Sequence, residues 1–210
     1  MVSQVSAVKK SLYASERDEQ ARANWWQELA ALGLEGLARL VFIDETSSYL
    51  NQSRSYGRAA SNKRVIDHAP KGKKARSSLL AAITPQGLVA QHCLVHPESV
   101  DKAAFKTFLA QLLPQLDKDS ILVMDNWRVH HGDDVEALVE SHACSIRYLP
   151  AYSPDFNPIE VLFSKIKAFI KKLRPQNTPD LIQAFVDALH TISLDDVKNS
   201  FAHCGYPIDV

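Results

Sequence analysis

The sequence predicts an α/β domain built on a mixed central sheet flanked by helices. Three observations carry that prediction. Leu40-Val41-Phe42-Ile43 and Ser120 to Met124 read as short buried strands, and each runs into an aspartate, Asp44 and Asp125. Segments of helical periodicity alternate with such strands. Two apolar stretches joined by Pro85-Gln86-Gly87 have the form of an antiparallel hairpin. At 210 residues, 46% hydrophobic and 23% charged, the chain can bury one good core and is too short for two large ones.

The elements follow in order. Glu16 to Leu32 is rich in Ala, Glu, Gln and Arg; Ser15 and Asp18 resemble a capping box, and Gly33 reads as a stop. Trp25 and Trp26 are expected to dock this helix on the body. After the strand at Leu40, Ser77 to Thr84 and Leu88 to Val95 form the two arms of the hairpin. Asp101 to Leu116 has helical spacing, with Phe105, Phe108, Leu109 and Leu112 on one side. Asp133 to His142 reads as a helix, Ser145 to Leu149 as a strand, and Pro179 to Ile192 as a further helix. Asn157 to Leu173 is strongly amphipathic: Ile159, Leu162, Phe163, Ile166, Phe169, Ile170 and Leu173 make its apolar stripe. Tyr56 to Lys74 has little periodicity and reads as a basic loop or ribbon.

No apolar run approaches the length of a membrane span, and Met1 to Lys10 has no apolar stretch of the kind a secretory signal needs. Cys93, Cys144 and Cys204 are scattered without CxxC spacing, which fits small core residues in a reducing cytoplasm. Charge totals cancel, with 24 basic and 24 acidic side chains. The distribution is uneven. Arg54, Arg58, Lys63, Arg64, Lys71, Lys73, Lys74 and Arg76 face a single acid, Asp67, and Lys165, Lys167, Lys171, Lys172 and Arg174 form a second basic segment with no acid. Two solvated surfaces would look like this, and so would a polyanion-binding enzyme with an acidic metal site.

Asp44 and Asp125 are the first candidates for such a site. The ends of strands in open α/β sheets are where ligands collect, and neighbouring strands would bring the two carboxylates together. A converging pair needs a shared proton or a cation, and hard divalent ions prefer oxygen ligands. Either aspartate alone has an ordinary role as a turn cap. Glu160 has two readings. Asn157 as N-cap, Pro158 at the first helical position and Glu160 at the third make an Asn-x-x-Glu capping box, which would account for the glutamate entirely. Yet Glu160, Ser164, Lys167, Lys171 and Arg174 share one helix face, an acid followed by cations. A metal ligand followed by phosphate contacts would use that order, as would a solvated stripe.

Three ordered motifs make the pattern specific: Phe42-Ile-Asp-Glu-Thr46, Met124-Asp-Asn-Trp-Arg-Val-His130, and Leu149-Pro-Ala-Tyr-Ser-Pro-Asp-Phe-Asn-Pro-Ile-Glu160. Together they resemble the DDE transposases of the mariner superfamily, most of all its bacterial insertion-sequence branch. Asp125 and Glu160 have 34 residues between them, the spacing of that branch. Tyr56-Gly-Arg58 and Phe201-Ala-His-Cys-Gly-Tyr206 are also similar. The resemblance implies a ribonuclease H-like fold over residues 37–210, preceded by a linker helix over 1–36. It implies that Asp44, Asp125 and Glu160 hold two Mg2+ or Mn2+ ions, for cleavage of transposon ends and then strand transfer into target DNA. Asn126 and His130 would support the second aspartate or approach the scissile phosphate. Arg58, Lys71, Lys73, Lys74, Lys167, Lys171 and Arg174 are candidate DNA contacts.

Relatives usually carry helix-turn-helix domains ahead of the catalytic domain. Their absence here leads us to expect a separately encoded helix-turn-helix protein, a frameshift fusion, or a truncated copy. A homodimer on paired ends and a cytoplasmic, nucleoid-associated location, with no membrane partner, follow from the same likeness. Three other readings stay open at this level. One is a ribonuclease H-like nuclease without strand transfer. Another is an inactive remnant that binds DNA. The last is a softer metal site at His130 and His131, which lacks a third nitrogen or thiolate nearby. Glu45 is expected to point away from Asp44, as a structural or supporting residue.

Overall fold

The computed structural model describes residues 14–54, 57, 59–60, 64–68, 75–88 and 93–207. Among these residues, six strands make one sheet: β1 (Leu40–Tyr49), β2 (Arg76–Thr84), β3 (Gly87–Leu88), β4 (Leu94–His96), β5 (Ile121–Met124) and β6 (Ser145–Tyr148). The order is β3-β2-β1-β5-β6, with β4 also paired to β2. β1 runs antiparallel to β2 and parallel to β5, and β5 parallel to β6, so the sheet is mixed as expected. The helices are α1 (Glu19–Ala38), α2 (Lys102–Leu112), α3 (Asp133–Glu140), α4 (Pro158–Leu173), α5 (Thr178–Leu189) and α6 (Leu194–His203).

Strand alternation divides the core into two layers. Leu40, Phe42, Ile121 and Val123 join α1, α4, α5 and α6 on one face of the sheet. Val41, Ile43, Leu122 and Met124 join α2 and α3 on the other. Phe42, Phe105, Phe163 and Phe185 are fully buried, and each contributes roughly 1.5–3 kcal/mol by leaving water. α1 belongs to this body: Trp25, Leu29 and Leu37 are buried in the first layer, and Trp26 meets Phe156 edge-on at 5.0 Å between ring centroids.

Several element boundaries differ from those expected. α1 begins at Glu19, because the Asp18 carboxylate accepts from the Gln20 and Ala21 amides; Ser15 bonds Glu16 instead of completing a box. Gly33 breaks the helix at φ 66 without stopping it, and helical structure resumes to Ala38. The helix expected over Asp101 to Leu116 is shorter, with Asp101 as its N-cap and a 3-10 turn at Leu113–Gln115. α5 ends at Leu189, three residues before Ile192. α6 was not anticipated; Ser193 and Asp196 start it with a reciprocal capping box.

The largest correction concerns β1. The hydrophobic pattern predicts a short strand ending at Asp44, whereas the residue lies in the middle of a ten-residue one. Its second half, Glu45 to Tyr49, pairs residue by residue with Arg76 to Leu80 of β2, and Ser47 and Ser78 hydroxyls bond at 2.8 Å. Polar side chains hide that extension from a hydrophobicity pattern, although Thr46 and Ser48 are buried.

Candidate active site

β5 ends at Met124, and β1 continues beyond it. Phe42 pairs with Val123, so two residues further along each strand Asp44 and Asp125 stand side by side where the parallel pairing stops. By alternation both carboxylates face the α4 side of the sheet. α4 packs Ile159, Leu162, Phe163, Ile166 and Ile170 into that layer and delivers Glu160 from its first turn. Asp44, Asp125 and Glu160 line one open cleft of about 500 Å³, together with Asn126, Trp127, Tyr152 and Asn157. Trp127 and Tyr152 are both solvent-exposed there.

Electrostatics mark the cleft as short of positive charge. Burial, then the charges of Glu45, Glu160 and Asp125, holds the Asp44 carboxyl well above its ordinary range. Glu160 is raised too: burial is the main cause, Asp125 and Glu45 add to it, and Lys167 opposes. Lys167 is thus the cation of the α4 face that reaches the acids electrostatically. Asp125 goes the other way. Burial opposes its ionisation, but the hydrogen bond and charge of His130 outweigh it and leave Asp125 below its ordinary value.

His130 is completely buried and lies beneath the sheet end. Its Nδ1 is 2.8 Å from Asp125 Oδ1 and its Nε2 is 3.2 Å from Glu45 Oε2. Its ring packs on Phe105 at 4.6 Å between centroids. Burial disfavours the imidazolium, yet the two carboxylates raise its pKa to about 10. Glu45 therefore points away from Asp44, as expected, and reaches Asp125 through His130. His131 bonds neither carboxylate; it stacks on Tyr148 at 4.2 Å and adds only a minor charge effect on Asp125. With both nitrogens of His130 engaged, the two histidines do not form a soft-metal site.

Asn157 departs from its expected role. It sits at the N-cap position of α4, but its side chain makes no capping bond, and the expected Asn-x-x-Glu box does not form. The Glu160 amide bonds the Asn157 backbone carbonyl at 3.2 Å. The Asn157 side-chain NH2 donates instead to Asp44 Oδ2 at 2.8 Å. Its Oδ1 is buried without a hydrogen-bond partner, an arrangement that costs about 1–3 kcal/mol. Nothing in the local sequence signals this choice, because Asn is an excellent N-cap. The turn carrying Asn157 is held from two sides. Arg22 of α1 forms a two-pronged ion pair with Asp155, at 3.0 and 2.6 Å, and lies over the Phe156 ring; the Tyr206 hydroxyl donates to the Phe156 carbonyl at 2.7 Å.

The cation candidates divide. Arg58, Lys71, Lys73 and Lys74 lie outside the described residues. Arg174, in left-handed conformation at the end of α4, is occupied by an ion pair with Asp67. Lys165 pairs with Asp196 of α6. Lys167 and Lys171 lie partly exposed along the α4 face.

Among the described residues, no three histidine, cysteine, aspartate or glutamate side chains converge tightly enough to hold an ion as they stand. The donor set still fits a hard cation. It consists of carboxylate oxygens; burial first, and then the charges of neighbouring acids, raises the proton affinity of Asp44 and Glu160, and a cation would offset both.

This mixed sheet with helices on both faces is a ribonuclease H-like fold. It superimposes on the Mos1 strand transfer complex with a TM-score of 0.76 at 16% identity, covering 96% of this chain and 63% of that one. The Mos1 mariner paired end complex with Mn gives 0.73 at 15%, covering 96% and 64%. The Mos1 transposase catalytic domain with raltegravir and Mg gives 0.58 at 14%, covering 95% and 100%. At these identities the likeness concerns the fold, and the chain spans about 63% of the length of the Mos1 chain in the strand transfer complex. No curated protein sequence matches. A family profile described as DDE superfamily endonuclease matches residues 39–182, a span that contains all three acids. The chain belongs to that family.

Proposed function

We propose that this chain is the catalytic domain of a mariner-like DNA transposase of the bacterial insertion-sequence branch, which cuts transposon ends and joins them to target DNA. The observation that carries the reading is the meeting of Asp44, Asp125 and Glu160 in one cleft of a DDE-family domain. The similar Mos1 structures, a strand transfer complex and a paired end complex with Mn, support the same chemistry by analogy.

In this reading the three acids hold two Mg2+ or Mn2+ ions. Such ions activate an oxygen nucleophile and stabilise the leaving oxygen of an in-line displacement at phosphorus. The residues of the chain do the rest. Asp44 and Asp125 present carboxylates from a rigid sheet, and Glu160 closes the set from α4 by rotamer change. His130 keeps Asp125 ionised and oriented, and Asn126, exposed beside it, faces the DNA. Lys167, Lys171 and, on release from Asp67, Arg174 meet the phosphate backbone, as do Arg58, Lys71, Lys73 and Lys74. Water and then a DNA 3′-hydroxyl serve as nucleophiles at the same acids. A homodimer on paired ends, with end recognition by a helix-turn-helix segment, completes the assembly.

The test is a strand-transfer assay with pre-cut element ends, a target plasmid and Mg2+ or Mn2+. Joined products are expected. Nicked or degraded products alone would favour a nuclease of the same fold, and the absence of any cleavage would favour an inactive DNA-binding remnant.

A further inference from the structure

We propose that Asn157 is a positioning residue for Asp44, withheld from the cap of α4 so that it can fix the spacing between the acid of β1 and the acid of α4. The inference rests on the metal-site reading above. Asp44 has two carboxylate oxygens and two donors. Oδ1 takes the Glu45 backbone amide at 2.7 Å, and Oδ2 takes the Asn157 NH2 at 2.8 Å. Each oxygen thereby keeps a lone pair for a cation while its direction is set. An ionised carboxylate only accepts hydrogen bonds, so the side chain at this position must offer a donor. Asp and Ser, the other strong N-caps, fail here: one would add a fourth charge, and the other is too short to span the gap.

The consequence is mechanical. Asn157 is 3% exposed and immediately precedes the turn of α4 that carries Glu160. The two residues before it are anchored, Asp155 by its ion pair with Arg22 and Phe156 by the Tyr206 hydroxyl on its carbonyl. A hydrogen bond from this residue to Asp44 ties the start of α4 directly to mid-β1. Two acids from elements 113 residues apart at this contact are then held at one spacing. The unpartnered Oδ1 and the uncapped helix start are what the molecule gives up for that tie.

The experiment uses the full chain and Mn2+ alone, read by thermal unfolding. Asn157→Ser restores a helix cap and removes the tie to Asp44. The metal-free Tm is expected to stay level or rise, while the Mn2+ concentration giving half of the maximal Tm shift increases about tenfold, the low end of what losing a ligand's supporting partner produces. Asn157→Ala is expected to show the same loss of Mn2+ response and supplies the answer if the serine variant does not fold. Unchanged half-saturation in these variants, with or without a drop in metal-free Tm, overturns the inference and leaves a structural role. A different pattern identifies failure of the underlying reading: no Mn2+ shift in the parent chain, or an undiminished one in Asp125→Asn, removes the metal site and the inference together.

Discussion

His130 joins two carboxylates that the sheet places on opposite faces. Asp125 lies on the α4 side and Glu45 on the α2 side, and the buried imidazole bridges them from below. Removing it leaves Asp125 free to turn and Glu45 without its partner. We expect His130→Ala to lower DNA cleavage about 10- to 100-fold, and Glu45→Gln about tenfold, with metal-supported cleavage rates as the measurement. Asp125→Asn should reduce cleavage to background while DNA affinity, measured by gel shift, remains; cleavage at the parental rate would refute the assigned site. His130 entered through the family motif alone, which left open whether it supports Asp125 or approaches the scissile phosphate; its contact with Asp125 appears only in the fold. The role of Asn157 was not legible. A sequence shows that a residue can cap a helix, and only the distance to Asp44 shows that it does something else.

Helix anchoring explains much of what the periodicity could and could not reveal. α2, α4 and α5 carry clear apolar stripes and were found to within a few residues, their ends being set by local caps such as Asp101 and Asn177. α6 was missed because its stripe is short: Val197 and Phe201 are its large buried residues, and its start depends on the Ser193–Asp196 box. Ser193→Ala is therefore expected to lower stability by about 1 kcal/mol, visible as a lower denaturation midpoint. Ion pairs add a pH dependence. Lys102 and Lys106 of α2 hold Asp134 of α3 down at about pKa 2, and Lys165 with Ser193 holds Asp196 at about 2. Folded values below the unfolded ones mean that their contribution is complete above about pH 4 and is lost as pH falls towards 2. The metal-free Tm should fall across that window, and Lys102→Met with Lys106→Met should flatten the part due to Asp134.

At the scale of the molecule, the mixed α/β class could be read from the chain, because buried strands leave strong local patterns. The length of β1 could not, since Glu45 to Tyr49 are held by pairing with β2 and not by their own hydrophobicity. The docking of α1 was half-legible: Trp25 and Trp26 announced it, while the Arg22–Asp155 pair that carries it to the α4 turn spans 133 residues and left no local trace. The whole arrangement serves to bring Asp44 from mid-strand, Asp125 from a strand end and Glu160 from a helix start into one cleft. Calorimetric titration of the full chain with Mn2+ tests that account most directly. It predicts a saturable binding isotherm that is lost in each of Asp44→Asn, Asp125→Asn and Glu160→Gln; an isotherm that survives all three substitutions unchanged would contradict it.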